Sequence, residues 1–138
     1  MKIKYYLYIA WFQSLLAMLG SLYFSEILKY PPCVLCWYQR IATYPLVFII
    51  PIAILFKDTK IYRYIFTLAI PGLLISIYHN LLYYKIIPDG LSPCSTGVSC
   101  TTKYIEYFGF LTIPLLGLIA FAVIIVSTYI YYRNERRH

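Results

Sequence analysis

Uncharged, apolar runs dominate the chain. No Asp, Glu, Lys or Arg occurs in residues 5–25, 64–84 or 107–132. Each run has at least the roughly 20 residues that a helix needs to cross a hydrocarbon core. A fourth run, residues 41–56, reaches spanning length only if its helix begins earlier, near Leu35 or Cys36. The pattern therefore predicts four transmembrane helices.

Prolines and polar loops set the expected ends of these helices, because proline ends or kinks a helix. We expect helices over about residues 5–28, 36–56, 62–84 and 105–132, all in one domain, 1–138. Tyr30-Pro31-Pro32 should end the first helix. Bends are expected at the prolines within the other helices, which are Pro45, Pro51, Pro71 and Pro114. The fold class is an all-α membrane protein, a four-transmembrane-helix bundle with two short extracytoplasmic loops that carry cysteine pairs.

Composition agrees with a membrane bundle. The chain is 62% hydrophobic and 12% charged, which leaves too little polar surface for a soluble domain of 138 residues. Lys2 and Lys4 precede the first apolar run, as in a signal peptide. That run is too long for such a segment and no cleavage site follows it, so we expect it to stay as a helix.

The net charge of +7 reports topology. Eight of the 12 Lys and Arg residues lie before the first helix, between the second and third, or after the fourth. This positive-inside bias places both termini in the cytoplasm, in a multi-pass protein of the cell membrane. The cysteine loops are then extracytoplasmic, and no nucleic-acid partner is expected.

All four cysteines fall on that extracytoplasmic side, as Cys33 and Cys36 in one loop and Cys94 and Cys100 in the next. Paired cysteines persist there as disulfides. A Cys-x-x-Cys disulfide closes a very small ring and therefore stabilises a fold little. Such a pair is more typical of a redox couple. Plain structural disulfides and a zinc site of four cysteines remain alternatives.

Arg40 distinguishes the first cysteine pair. It follows Cys36 by four residues, about one helical turn or ~6 Å, on the same face. The helix N-terminus and the guanidinium both favour a Cys36 thiolate. A charged residue within a span is costly and usually faces a partner or ligand, unless it extends to the interface. We interpret Arg40 as a cation beside a lipid-soluble quinone, where it could stabilise negative charge on a quinone oxygen.

These residues resemble the DsbB-type disulfide-bond formation proteins, most closely their short Gram-positive form, BdbC. The resemblance covers nearly the whole chain. Its motifs are Gly-Ser-Leu-Tyr-Phe-Ser-Glu at 20–26, Cys-Val-Leu-Cys-Trp-Tyr-Gln-Arg at 33–40, Tyr-His at 78–79, the segment 93–100, and Phe-Gly-Phe-Leu-Thr-Ile-Pro at 108–114.

The resemblance implies a membrane thiol oxidase. It would reoxidise an extracytoplasmic thioredoxin-like (DsbA/BdbD-like) thiol oxidase and pass electrons to quinone, menaquinone in Gram-positive relatives, so sustaining disulfide formation in exported proteins. Cys94 would form the mixed disulfide with that partner, and Cys100 would resolve it and exchange with Cys33. Cys36 would be the thiolate that faces the quinone, with Arg40 beside the ring.

Three further residues are candidates for the same site. His79 matches a histidine near the quinone pocket of the family, and Asn80 and Glu26 lie toward the same end of their helices. A packed core role for His79 and a solvated role for Glu26 are the alternatives. The sequence specifies the redox couple and not the direction of electron flow, so a quinone-linked reductase is a further alternative.

Overall fold

A computed structural model describes residues 2–27, 29, 34–84, 86 and 113–137. Its α-helices are α1 (Lys2–Leu22), α2 (Val34–Leu55), α3 (Ile61–Tyr83) and α4 (Ile113–Arg137), and a π-helical turn, Tyr23–Ile27, continues α1. Four spans are long and apolar enough to cross a membrane: Lys4–Ile27, Leu35–Leu55, Ile61–Tyr83 and Leu115–Arg137. The described part of the chain contains no strand. The predicted four-helix membrane bundle is therefore confirmed, and the protein is a multi-pass membrane protein.

The fourth helix differs from its expected bounds. It continues to Arg137, so the three arginines expected after the helix, Arg133, Arg136 and Arg137, lie on it. Arginine and glutamate sustain a helix well, and Arg136 donates a hydrogen bond to the Tyr132 hydroxyl at 3.0 Å. The expected start near residue 105 lies outside the described residues. Pro114 is the second described residue of α4, and the bend expected there stays a prediction.

Each helix packs mainly against two neighbours, in the order α1, α2, α3, α4 and back to α1. The bundle thus has two ends. We call the end where α1 stops and α2 begins the cysteine end, and the end with the α2–α3 turn the opposite end. The fully buried core includes Ala10, Leu46, Ile50, Ile61, Ile65, Ala69, Phe121 and Ile124.

Small residues allow the helices to approach closely, as is common in membrane bundles. At Gly72 the ring of Phe121, on α4, occupies the space that a Cβ would need. The Phe121 side chain is only 2% exposed. Gly72 therefore sets how closely α3 and α4 pack.

Pro51 leaves one backbone carbonyl of α2 without its usual hydrogen bond, and another helix supplies the donor. Proline has no N–H, so the carbonyl of Val47, four residues earlier, loses its partner within the helix. The indole N–H of Trp11, on α1, donates to that carbonyl at 3.0 Å. A neighbouring side chain thus satisfies the backbone group that the proline frees, as membrane helices require.

Candidate functional site

Cys36 is the third residue of α2 and is half-buried. The prediction that the second span begins close to Cys36 is confirmed. The first N–H groups of a helix have no partner within it, and together with the helix dipole they favour an anion. Cys33, Cys94 and Cys100 lie outside the described residues, and their roles stay predictions.

Arg40, one turn into α2, is fixed by α1. Its Nε donates to the Ser21 hydroxyl at 2.6 Å, and one terminal nitrogen, Nη2, donates to the Ser21 carbonyl at 3.0 Å. Ser21 lies just before the π-helical turn Tyr23–Ile27, and π-helical turns occur often at functional sites. Two hydrogen bonds to one residue fix the plane of the guanidinium.

The aromatic ring of Trp37 provides a second contact for Arg40. The guanidinium carbon lies 5.1 Å from the ring centroid, within the range of a cation–π interaction. The second terminal nitrogen, Nη1, has no hydrogen-bond partner among the residues that the structure describes. Arg40 thus keeps donor capacity while its position is fixed on two sides.

His79 approaches the same level of the bundle from α3. It is only 3% exposed, and its Nδ1 lies 3.2 Å from the amide nitrogen Nε2 of Gln39. Gln39 directly precedes Arg40. The structure therefore brings His79 to the residue beside Arg40, as the prediction of a shared site requires.

The other two candidates are not brought to Arg40. The Asn80 amide donates to the Ser76 carbonyl of its own helix at 2.8 Å. Glu26 is exposed on the π-helical turn, and in the described part of the chain it forms no ion pair with Arg40. The solvated interpretation of Glu26 is therefore favoured.

Three residues of this site were not among those predicted from the sequence. They are Ser21 and Gln39, which make the contacts described above, and Gly117 on α4, whose missing side chain leaves space for Gln39. Polar side chains within apolar spans were a signal for Ser21 and Gln39. No sequence signal distinguished Gly117 from other glycines.

The arrangement suits a quinone carbonyl. Arg40 offers a fixed cation with donor capacity, one turn from Cys36, and large apolar side chains on this part of α2 are exposed where the bilayer would lie: Trp37 (53%), Tyr38 (48%) and Ile41 (63%). A ring dissolved in lipid could therefore approach the guanidinium. Among the described residues no three His, Cys, Asp or Glu side chains could hold a metal ion.

Four apolar spans, with Cys36 at the start of one of them and Arg40 one turn later, are consistent with a membrane oxidoreductase of the thiol–disulfide class. The family model for the disulfide bond formation protein DsbB matches residues 4–131. The chain therefore belongs to the DsbB family of disulfide bond formation proteins, which confirms the resemblance.

Several relatives support this assignment. The chain is 53% identical over 121 residues to disulfide bond formation protein C of Bacillus subtilis, covering 88% of each chain. It is 47% identical over 135 residues to probable disulfide formation protein C 1 of Bacillus cereus, covering 97% of this chain and 96% of the relative. A probable disulfide formation protein of Oceanobacillus iheyensis is 39% identical over 137 residues, 99% of this chain and 94% of the relative. No solved structure matches the chain.

Proposed function

We propose that the protein is a membrane thiol oxidase that reoxidises an extracytoplasmic thioredoxin-like thiol oxidase and delivers the electrons to membrane quinone. Disulfide formation in exported proteins would depend on this transfer. The observation that carries the proposal is the position of Arg40. Its guanidinium is fixed by Ser21 and Trp37, one helical turn from the half-buried Cys36.

The cysteines would work as two exchanging pairs. The resting pair is a Cys94–Cys100 disulfide. A thiolate of the reduced partner attacks the sulfur of Cys94, so Cys94 forms the mixed disulfide and Cys100 becomes a thiolate. Resolution by Cys100, as the resemblance implied, would only re-form the Cys94–Cys100 disulfide and return the reduced partner. In the proposed scheme the second partner thiolate therefore releases Cys94, which leaves an oxidised partner and a Cys94–Cys100 dithiol. Exchange between Cys100 and Cys33 passes the two electrons to the Cys33–Cys36 pair. Each exchange conserves one disulfide and one dithiol.

Residues of α2 and α3 would hold the quinone. A bound quinone supplies a two-electron, two-proton acceptor, which matches the two electrons and two protons released when two thiols become a disulfide. Cys36 would face it as the thiolate, and Arg40 would donate to a carbonyl oxygen where negative charge develops. His79 would contribute from α3. Menaquinone is the proposed quinone.

The positive-inside bias gives the proposed orientation. Both termini and the opposite end lie in the cytoplasm, and the cysteine end faces outward, where disulfides persist. Thiol-reactive reagents that cannot cross the membrane should label a reduced Cys36 from outside intact cells.

Thiol counting by mass spectrometry tests the function. The reduced protein in vesicles should lose thiols in pairs when menaquinone is added, and Cys36→Ser should lose none by the quinone route. A protein with purely structural disulfides would show no quinone-dependent change in its number of free thiols. A zinc protein would show four protected thiols and bound metal. Loss of thiols from Cys36→Ser at the wild-type rate would rule out the proposed function. Unfolding in detergent, compared with the wild type, checks that the variant is folded.

The direction of flow needs its own measurement. An oxidase should reduce added menaquinone with its dithiols, whereas a reductase should reduce its own disulfides when menaquinol is added. Thiol counts from the oxidised protein with menaquinol distinguish the two. Gain of thiols under that condition, with no loss of thiols to menaquinone, would reverse the proposed direction.

A further inference from the structure

Three helices meet at the side chain of Gln39. It extends from α2 to His79 on α3, and its carbonyl oxygen, Oε1, points toward Gly117 on α4. A Cβ built on Gly117 would lie 2.7 Å from this oxygen and 3.7 Å from the Ser76 hydroxyl. Ser76 is fully buried and donates to the Gly72 carbonyl at 2.9 Å. The Gln39 carboxamide is thus enclosed by protein at both its nitrogen and its oxygen.

The two ends of a carboxamide have different hydrogen-bonding roles. The nitrogen can only donate, and the oxygen can only accept. An α-hydrogen of Gly117 lies in the Cβ direction, close to Oε1, and a polarised C–H suits a carbonyl oxygen better than it suits an N–H donor. The contact at Gly117 therefore favours the orientation of the amide in which the oxygen faces Gly117 and the nitrogen faces His79.

This orientation determines the state of His79. Because the Gln39 nitrogen only donates, Nδ1 of His79 must accept. A neutral imidazole carries one N–H, so its proton is then on Nε2. We infer that Gln39 is a positioning residue that holds His79 in the Nε2–H tautomer, and that Gly117 provides the space that this contact requires.

The consequence for the reaction rests on the proposed function. His79 is almost fully buried, and in this tautomer its ring acceptor, Nδ1, is occupied by Gln39. Arg40, the next residue after Gln39, lies on the same turn of α2. Neighbouring residues of one helix would thus fix both the guanidinium at the proposed quinone site and the orientation of the His79 ring beside it.

Nitrogen NMR of the histidine rings tests the inference without any quinone. The chain has 2 histidines, so the ring-labelled protein gives two sets of signals, and His79→Gln assigns them. The wild type should show His79 protonated at Nε2 and unprotonated at Nδ1. A wild-type His79 protonated at Nδ1 would overturn the inference.

Gln39→Glu should invert the tautomer, because a carboxylate can only accept and would take an N–H from Nδ1. The matched control is Gln13→Glu. Gln13 is another half-buried glutamine, on α1, and makes no hydrogen bond in the described part of the chain. An unchanged His79 spectrum in folded Gln39→Glu would overturn the inference, as would an equal change in Gln13→Glu.

Gly117→Ala gives a second test that does not depend on burying a carboxylate. The new methyl group would overlap only the carboxamide of Gln39, the end of a flexible side chain, because the Ser76 hydroxyl lies at an ordinary contact distance of 3.7 Å. The bundle should therefore fold while Gln39 is displaced. His79 should then show a mixture of tautomers. Gly20→Ala is the matched control, since a Cβ there meets nothing within 4 Å, and it should leave the spectrum unchanged. A wild-type His79 spectrum in Gly117→Ala would contradict the role given to Gly117.

The tautomer and the proposed function can fail separately. If the spectra are as expected but the wild-type protein does not lose thiols to menaquinone, Gln39 positions His79 and the proposed function is wrong. If menaquinone oxidises the thiols and His79 carries its proton on Nδ1, the inference alone is wrong.

Discussion

The two halves of α2 use polar groups differently. In the half at the cysteine end, Gln39 and Arg40 carry side-chain hydrogen bonds to α3 and α1. In the half at the opposite end, the buried residues Leu46, Val47, Ile50 and Ala53 are apolar, and the hydrogen bond from another helix goes to the Val47 carbonyl beside Pro51. A polar side chain within a membrane costs free energy, so it usually has a hydrogen-bonding partner or a functional role. The comparison supports the proposal that the chemistry occurs at the cysteine end, whereas apolar packing dominates the opposite half of α2.

Replacing Arg40 should have the largest effect on activity. Arg40→Ala removes the fixed cation, and kcat/KM for menaquinone should fall about 100-fold, the loss typical when one oxyanion donor is removed. Arg40→Lys keeps the charge but loses the paired contacts with Ser21, because a lysine ammonium cannot reproduce the planar guanidinium. The kcat/KM of Arg40→Lys should therefore lie between that of the wild type and that of Arg40→Ala. Steady-state menaquinone reduction in vesicles measures both.

Arg63→Ala is the matched control for that loss. Arg63 also lies over an aromatic ring, 5.9 Å from the centroid of Tyr62, but it is exposed at the opposite end. Its replacement should leave kcat/KM unchanged. An equal fall in both alanine variants would break the distinction between the two halves.

Gly72→Ala tests the packing half of the account. The added methyl group overlaps the buried Phe121 ring, and overpacking of this kind costs about 1–3 kcal/mol. The free energy of unfolding in detergent should fall by that amount, while Gly20→Ala should not lower it. Equal stability of the two variants would show that α3 and α4 separate easily at this position.

Trp11→Phe should destabilise the protein by about 1 kcal/mol, because the Val47 carbonyl then loses its hydrogen bond. Pro51→Ala restores a backbone N–H at position 51 that can donate to that carbonyl. The cost of Trp11→Phe should therefore be smaller in the Pro51→Ala background. A double-mutant cycle of unfolding free energies measures the difference, and strict additivity would contradict this account of the proline.

Tyr44→Phe should have the smallest effect. The Tyr44 hydroxyl is buried and has no hydrogen-bond partner within the described residues, so removing it should raise the free energy of unfolding slightly, by at most about 1 kcal/mol. Menaquinone reduction should be unchanged. A marked loss of stability in detergent would show that this hydroxyl has a bonding role.

The charge pattern predicted the number of helices and the start of α2 because hydrocarbon excludes charge along whole segments. It could not predict the partners of the polar side chains. Ser21 meets Arg40, and Gln39 meets His79, only through the rotation and depth of each helix, which packing determines. The end of α4 was missed for a different reason. Arg133, Glu135, Arg136 and Arg137 are charged, which ends a hydrophobic span but not a helix.

Reoxidation of a purified, reduced thioredoxin-like oxidase is the most direct test of the central claim. The protein would be placed in vesicles that contain menaquinone or lack any quinone, and the partner's thiols would be followed over time. We expect catalytic reoxidation only with menaquinone, with Cys36→Ser inactive and Arg63→Ala fully active. Equal reoxidation in quinone-free vesicles, or by Cys36→Ser, would contradict that claim.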